Sequence, residues 1–302
     1  MRKPPDITPL ATLSQMSRVY VSVALLLVAL TSVSCRSVNL TMPWRRNNVS
    51  QAPSTAMIPP NASAADIIAA VNRQNEQIDS LSAHSASVSM PRTPQLSADI
   101  VYHKPNYLHI SAKTNITGKE FDMGSNPELF WFWIARDERP GVYYCRHDQY
   151  SQTAASSQLP IEPSWVIEAL GVKPLDPTLS WRGPRPTSDG LFYELRAQEQ
   201  TPKGMITRVV YVDRRTATIA AQRIYDSNNY LVVDATTRAV RRDALNGIYA
   251  PQKIDIFSPR DNFKLSIDLG TFDLNRISTD TLLTWGIPQN LGAPMVNLAD
   301  QR

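Results

Sequence analysis

The residue with the clearest chemical role in this sequence is Cys35, because of what precedes it. Arg18 comes before a mostly apolar run, residues 19–30, and the small or polar residues 31–34 then lead to the cysteine. An apolar run of this length is typical of the core of an export signal and is shorter than the roughly 18 to 20 residues that cross a bilayer as a helix. The pattern predicts a signal peptide over residues 1–34 and a lipid-carrying thiol at Cys35.

Two features of this leader leave alternatives open. Ser32 and Ser34 also satisfy the small-x-small rule of ordinary secretory cleavage, which would release a free protein. Ser32 also occupies a position where bacterial lipoprotein signals have an aliphatic residue. Met16 is a second possible start, and both starts give the same mature chain.

Lipidation would place the protein in the cell envelope, facing the periplasm. Arg36 is not the acidic residue that retains some lipoproteins at the inner membrane, which favours the outer membrane.

The other reactive side chains do not follow the spacing of a known catalytic or metal site. The four histidines fall in strand-like segments and do not form a His-x-x-x-His pair: His84, His103, His109 and His147. Gly124 and Ser125 lack the remaining glycine frame of a nucleophile elbow. Cys145 follows Val142, Tyr143 and Tyr144 in a strand-like run, which favours a small buried hydrophobe over a nucleophile.

Acidic residues are the remaining candidates for catalysis. Asp122, Glu162 and Glu194 could approach one another in the folded chain, but carboxylates at such positions are usually solvated. The sequence therefore predicts that the protein is not an enzyme and that it has no catalytic residue, no metal and no cofactor.

Composition restricts the partners of the chain. Its 302 residues carry a formal charge of +4, and part of that charge lies in the predicted leader. The mature part has no cluster of basic residues interleaved with aromatic ones, so we do not expect a nucleic-acid partner. The sequence does not identify a protein partner. The lipid on Cys35 is the predicted link to a membrane.

The spacing of apolar residues divides the mature chain into three parts. Residues 35–62 are rich in Pro, Ser, Asn and Thr and are predicted to be the lipidated cysteine and a disordered tether. A folded domain is expected over 63–280, followed by a C-terminal tail over 281–302. The domain opens with a predicted amphipathic helix, in which Ser63 and Asp66 have the types and spacing of a helix N-terminus.

After the opening helix, the apolar period changes to two. Leu96, Ala98, Ile100 and Tyr102 alternate with polar or less buried positions, and similar alternation recurs along the chain to residue 269. Short turns between these runs predict successive antiparallel pairing in a curved meander. A short helix is expected within this series at 164–170, after Pro163 and before Gly171.

An aromatic run at 130–133 stands out among the predicted strands. Alternation places Trp131 and Trp133 on one face and Phe130 and Phe132 on the other, so both faces must be covered or must bind an apolar group. We expect the two tryptophans beside Leu108 and Ile110. Phe121 and Met123 precede this run and add to the apolar surface.

Two short stretches resemble the family of periplasmic lipoprotein carriers, LolA and its outer-membrane receptor LolB. Residues 102–108 resemble the strand pair of that family that contains an Arg-Pro sequence, and residues 124–132 resemble its Asp-Gly-Lys-x-Leu-Trp-x-Tyr turn and strand. The order of elements is also similar over residues 64–275. This resemblance implies a mainly β fold, an incomplete and strongly curved antiparallel barrel of about eleven strands, with helices covering the concave face.

The resemblance also implies an apolar cavity that accepts acyl chains of lipids or lipoproteins. The candidates for its lining are Leu108, Ile110, Phe121, Met123, Trp131 and Trp133. Lys104 stands where the carriers have a lid-holding arginine, and a lysine does not offer the same planar set of donors. The turn over residues 115–119 is mostly polar, unlike the apolar loop of the receptor, so ligand binding is a more secure prediction than insertion of cargo into a membrane. The alternative is a sensor or scaffold of the same fold with a filled core.

Overall fold

Alternating apolar and polar side chains build most of this protein as one antiparallel sheet. The computed structural model describes residues 48–49, 56–91, 93–136, 140–153, 163–202, 204–260, 262–278 and 285–300. These residues belong to a unit that runs from Arg46 to Arg302. The predicted signal peptide, Cys35 and Glu162 lie outside the described residues.

The first group of strands lies on the N-terminal side of a short helical region. These strands are β1 (Asn48–Val49), β2 (Ser80–Ser89), β3 (Leu96–His103), β4 (Tyr107–Thr114), β5 (Gly118–Ser125), β6 (Leu129–Ile134) and β7 (Val142–Arg146). The helices are α1 (Ala64–Asn75), α2 (His147–Tyr150) and α3 (Pro163–Ala169). No helix among the described residues is long and apolar enough to cross a membrane.

The second group of strands follows α3. These are β8 (Arg182–Pro186), β9 (Phe192–Thr201), β10 (Gly204–Asp213), β11 (Thr218–Tyr225), β12 (Leu231–Arg242), β13 (Tyr249–Ser258), β14 (Phe263–Asp268), β15 (Asp273–Leu274) and β16 (Met295–Asn297). A 3-10 turn over Leu298–Asp300 ends the described chain.

The strand order shows two meanders joined at the centre of the sheet. The order is β16-β7-β6-β5-β4-β3-β2-β14-β13-β12-β11-β10-β9-β8, with β1 beside β12 and β15 beside β2. β2 and β14 join the meanders through pairs such as Val88 with Ile267. The sheet is open and curved and is not closed into a barrel. The predicted fold class, mainly β with a curved and incomplete barrel, is confirmed.

The described residues contain sixteen strands, more than the eleven or so expected. Four short or proline-containing strands account for most of this difference: β1, β8, β15 and β16. Such segments give no alternation of apolar and polar residues, because two or three residues are too few and β8 is mostly exposed on both faces. His147 was expected in a strand and instead begins α2, because β7 ends at Arg146.

The opening helix begins as its sequence predicts. The Ser63 hydroxyl accepts a hydrogen bond from the backbone N–H of Asp66, and the Asp66 carboxylate accepts one from the N–H of Ser63. This reciprocal pair satisfies two donors at the helix N-terminus that would otherwise lack a partner. The buried side of α1, which includes Ile67 and Val71, packs against strands β9 to β11.

Contacts at both ends of the predicted domain extend it further than expected. Ile58, predicted to lie in the disordered tether, is buried and donates its backbone N–H to the carbonyl of Arg214. The hydroxyl of Tyr193 donates to the carbonyls of Pro59 and Pro60. In the predicted tail, β16 pairs in parallel with β7. Burial of Ile58 and of Leu298 stabilises these contacts.

Candidate ligand-binding face of the sheet

The face of the sheet that carries α1 and α3, called the inner face below, is the candidate site. Leu108, Ile110 and Ala112 alternate toward it along β4. On β5, Met123 lies opposite Ile110 and Phe121 lies opposite Ala112. The structure thus brings together four of the six predicted lining residues, Leu108, Ile110, Phe121 and Met123, in one apolar cluster.

Trp131 and Trp133 are not part of that group, and their expected position beside Leu108 and Ile110 is wrong. Trp131 lies opposite Gly124, and Trp133 lies opposite Asp122. Because residues directly opposite each other share a face, both tryptophans point to the outer face, away from the helices. Phe130 and Phe132 occupy the inner positions on β6 instead, opposite Ser125 and Met123.

Helix α3 covers the inner face. Val166, Ile167 and Leu170 are buried in the same cluster as strands β2 to β5 and β11 to β14. The helix is observed at 163–169, close to the predicted 164–170. It ends before Gly171, whose φ of +65° is accessible to glycine at little cost. Val166 of the helix and Leu170 directly after it are almost inaccessible to solvent, so α3 buries this part of the inner face.

One end of the inner face has a partly exposed apolar border. The hairpin turns β2–β3, β4–β5, β9–β10, β11–β12 and β13–β14 all lie at this end, because the strands alternate in direction. Five partly buried hydrophobic residues at these strand ends pack against the central cluster and form what we call the apolar rim: Met90, Ile134, Ile206, Val232 and Phe263. Trp165 of α3 also packs against the cluster and stays partly exposed. Apolar surface therefore runs from the interior to solvent at this end.

Lys104, the predicted lid-contact residue, lies against the end of α1. Its ammonium donates to the carbonyls of Asn75 and Glu76, each at 3.0 Å, and lies 3.8 Å from the Asp79 carboxylate. Burial lowers the pKa of Lys104, and this effect is opposed by Asp79 and Glu76. A cation at the C-terminus of a helix stabilises its unpaired carbonyls. The lid-contact role stays a prediction.

A buried carboxylate on the outer face was missed by the sequence analysis. Asp122, expected to be solvated, is fully buried and accepts hydrogen bonds from His109 at 3.1 Å, Lys119 at 2.9 Å and Trp131 Nε1 at 2.9 Å. Burial acts against ionisation of Asp122, but the donors outweigh it and hold the pKa of this carboxyl below its usual value. The sequence does contain a signal for this burial. Asp122 stands between two apolar residues, in a strand that continues into an aromatic hairpin.

Other reactive groups do not assemble into a catalytic or metal centre in the part of the chain that the structure describes. No group of three His, Cys, Asp or Glu side chains is placed to hold a metal there. Cys145 is a free, buried cysteine packed with Phe130, Tyr150 and Leu298, and burial raises the pKa of its thiol. A buried thiol with a raised pKa is a poor nucleophile.

The open sheet with a helix-covered apolar face defines a class of fold that solved structures share. A putative outer membrane lipoprotein-sorting protein domain from Vibrio parahaemolyticus matches with a TM-score of 0.51 and 8% identity, over 72% of this chain and 95% of that chain. A DUF1329 family protein from Desulfovibrio piger has a TM-score of 0.48, 14% identity and coverage of 72% and 94%. A LolA superfamily protein from Nitrosomonas europaea has a TM-score of 0.47, 10% identity and coverage of 73% and 97%.

These likenesses concern the fold, because the sequence identities are low. No family model and no curated protein matches the chain. The chain has a LolA-like fold, and the resemblance predicted from residues 102–108 and 124–132 is confirmed at that level.

Proposed function

We propose that this protein binds acyl chains of lipids or lipoproteins on the inner face of its sheet. The observation that carries the proposal is the apolar rim, which connects the buried cluster around Ile110 to solvent at one end of the sheet. Transfer of an acyl chain from water to such a surface stabilises the complex by about 0.8 kcal/mol for each buried methylene, before the entropy of association is subtracted. The LolA-like fold is consistent with such a carrier.

A titration with an environment-sensitive fatty-acid probe tests the proposal. Ile206 and Met205 are adjacent on β10, but Ile206 belongs to the apolar rim while Met205 is exposed on the other face. We expect Ile206→Asp to weaken probe binding by about tenfold or more, because a carboxylate would replace a few buried methylenes. Met205→Asp is the matched control and should bind like the wild type. Mass spectrometry of lipid extracted from the purified chain supplies a second measurement.

A filled core is the competing interpretation, and one observation favours it. Leu108, Ile110, Phe121 and Met123 are all nearly inaccessible to solvent, so this part of the inner face is already covered. A sensor or scaffold of the same fold would show this packing without any ligand. Absence of extracted lipid, together with equal probe titrations for Ile206→Asp and Met205→Asp, would support the scaffold.

We further propose that the protein is an envelope lipoprotein anchored through Cys35 and facing the periplasm, at the outer membrane. The leader pattern and Arg36 support this location. Acyl chains on one cysteine contribute about 0.8 kcal/mol for each buried methylene, so two or more chains hold a protein stably. Membrane fractionation of Cys35→Ala should recover the protein in the soluble fraction. Retention of the variant on salt-washed membranes would contradict anchoring by lipid alone.

A further inference from the structure

A cavity with both polar and apolar lining residues lies beside α3. Its volume is about 210 Å³, more than ten times the roughly 10–15 Å³ that one water molecule requires. It lies between the segment that joins α3 to β8 and the strands β9 to β11. The lining residues that carry the inference are Glu168, Lys173, Asp176, Trp181, Glu199 and Arg208.

Arg208 forms a fixed wall of this cavity. Its Nη1 donates to Glu168 Oε2 at 2.7 Å, and its Nε and Nη2 donate to Glu199 Oε2 at 3.1 and 3.0 Å. Gln222 donates to the backbone carbonyl of Glu168 at 2.7 Å and holds the helix end in place. Because three of its five N–H donors point at these two carboxylates, which also balance its charge, Arg208 is poorly placed to attract an anion into the cavity.

Carboxylate oxygens remain available on the same walls. Among the described residues, Glu199 Oε1 and Asp176 Oδ2 make no hydrogen bond, since Arg208 uses only Oε2 of Glu199 and Thr178 uses only Oδ1 of Asp176. Lys173 is the second cation of the lining, but its ammonium is half-exposed and 3.9 Å from Glu168 Oε1. Three carboxylates against one fixed and one loosely held cation favour a positively charged occupant.

An indole adds a second type of contact for such an occupant. Trp181 lines the cavity and is held by a hydrogen bond from its Nε1 to the carbonyl of Asp176 at 2.8 Å. A tryptophan ring near carboxylates attracts ammonium groups through cation–π interaction, and this attraction increases when water is excluded. A metal ion, in contrast, would not gain from the indole and the neighbouring Pro174 and Leu179.

We propose that this cavity binds the ammonium group of a small amine, supplied either by a free amine or by the ethanolamine headgroup of a phospholipid. The ammonium donates to Glu199 Oε1 and Asp176 Oδ2 and lies against Trp181, and Lys173 moves toward solvent. The inference goes beyond acyl-chain binding and does not depend on it, because Val166, Ile167 and Leu170 face the apolar cluster while Glu168 faces this cavity.

Calorimetric titration of the full chain, held in a neutral detergent, with ethanolamine tests the proposal. We expect saturable binding at low ionic strength and no binding of ethylene glycol, which lacks the charge. Asp176→Asn and Glu199→Gln should each weaken binding by about tenfold, since each removes a charge-assisted hydrogen bond. Both amides retain an oxygen that can accept the existing bonds from Thr178 and Arg208. Glu194→Gln is the matched control on the outer face of the same strand and should bind like the wild type.

Competition with short-chain phospholipids identifies the source of the amine. If dihexanoyl phosphatidylethanolamine displaces ethanolamine and dihexanoyl phosphatidylglycerol does not, the ligand is the lipid headgroup. If neither displaces it, the ligand is a free amine. Absence of saturable ethanolamine binding, or binding that Asp176→Asn and Glu199→Gln leave unchanged, overturns the proposal. Because Ile206 lies opposite Glu199, Ile206→Asp is used only with the fatty-acid probe and not in the ethanolamine titration.

Discussion

The outer face of the sheet differs between its two halves. In the N-terminal half, one fully buried carboxylate, Asp122, lies beneath Trp131 and collects three side-chain donors. In the C-terminal half, the buried Tyr211 and the less completely buried Glu194, Arg223 and Asp234 form a chain of contacts from strand to strand. Tyr211 donates to Glu194 at 2.7 Å, the Arg223 guanidinium lies 5.4 Å from the Tyr211 ring centre, and Arg223 donates to Asp234 at 2.7 Å.

The two halves of the sheet stabilise charged side chains in two ways. The side chains of Glu194, Arg223 and Asp234 are 14%, 16% and 19% exposed, so each pair contributes an amount between those of exposed and buried pairs and can be lost singly. Asp122 is removed from water, so its ionised form depends on its donors, and loss of the carboxylate leaves Trp131 Nε1 buried without its acceptor. In the N-terminal half, the stabilisation therefore depends on one charged residue, Asp122, whereas in the C-terminal half it is divided among several ion pairs and ring contacts.

The largest effect that we predict is for Asp122→Ala. The variant leaves Trp131 Nε1 buried without its acceptor and removes the charge-assisted hydrogen bonds with His109 and Lys119, which together cost about 3–5 kcal/mol. Urea unfolding measures the loss. Asp99→Ala is the control on the same face, because Asp99 and its partner His84 are largely exposed, and it should cost less than about 1 kcal/mol. Equal losses for the two variants would show that burial of Asp122 is not decisive.

A smaller loss is expected for Gly124→Ala. A Cβ at this position would lie 2.0 Å from Trp131 Cζ2, so the indole must move and its hydrogen bond to Asp122 must lengthen or break. Overpacking of this kind costs about 1–3 kcal/mol. Near-UV circular dichroism and urea unfolding together report the displaced indole. Gly286→Ala, with open space around its Cβ, should leave both measurements unchanged.

In the C-terminal half, Arg223→Ala should cost about 1–2 kcal/mol, a value between those of exposed and buried pairs. The variant removes both the ion pair with Asp234 and the contact with the Tyr211 ring. A double-mutant cycle with Asp234→Ala measures the pair. Arg146→Ala is the exposed control and should have almost no effect. A coupling energy near zero between Arg223 and Asp234 would contradict the idea that this half shares its stability among such pairs.

The smallest effect is expected in the acid titration of stability. Burial opposes ionisation of Asp122 and Glu194, but their hydrogen-bond donors prevail and the pKa of each lies below its usual value of 3.8 or 4.5. Because the pKa is lower in the folded state, each ionised group adds stability above its unfolded pKa and loses it as the pH falls through its folded pKa. Asp122→Asn and Glu194→Gln should each reduce the slope of unfolding free energy against pH on the acid side by up to about one proton. An unchanged slope in both variants would exclude this linkage.

Much of the fold was predictable because it depends on local patterns. Ser63 and Asp66 mark the start of α1 through a hydrogen-bond pair three residues apart, and Pro163 and Gly171 bracket α3. The alternation in β3 corresponds to its pattern of burial. Each of these signals requires only residues that are close in the sequence.

The arrangement of the site was less predictable because it depends on strand register and distant pairs. Alternation shows that Trp131 and Trp133 share a face, but which face depends on the length of the turn that sets Trp131 opposite Gly124. The Glu168–Arg208–Glu199 cluster joins residues from α3, β9 and β10, and nothing in their spacing marks them as neighbours. Burial of Asp122 likewise depends on donors from three strands.

The pairing of β2 with β14 has a consequence for how the chain reaches its folded state. Each meander can form from neighbouring hairpins, but the centre of the sheet joins Val88 to Ile267, which are far apart in sequence. Contacts between such distant residues slow folding, because the intervening chain must be ordered or enclosed in a loop before they form. During synthesis, the edge of β2 in the N-terminal meander therefore stays unpaired until β14, near the end of the chain, has left the ribosome. Exposed strand edges in such intermediates promote aggregation. The unpaired edge of β2 is therefore the part of the nascent chain that most needs protection from pairing with other chains.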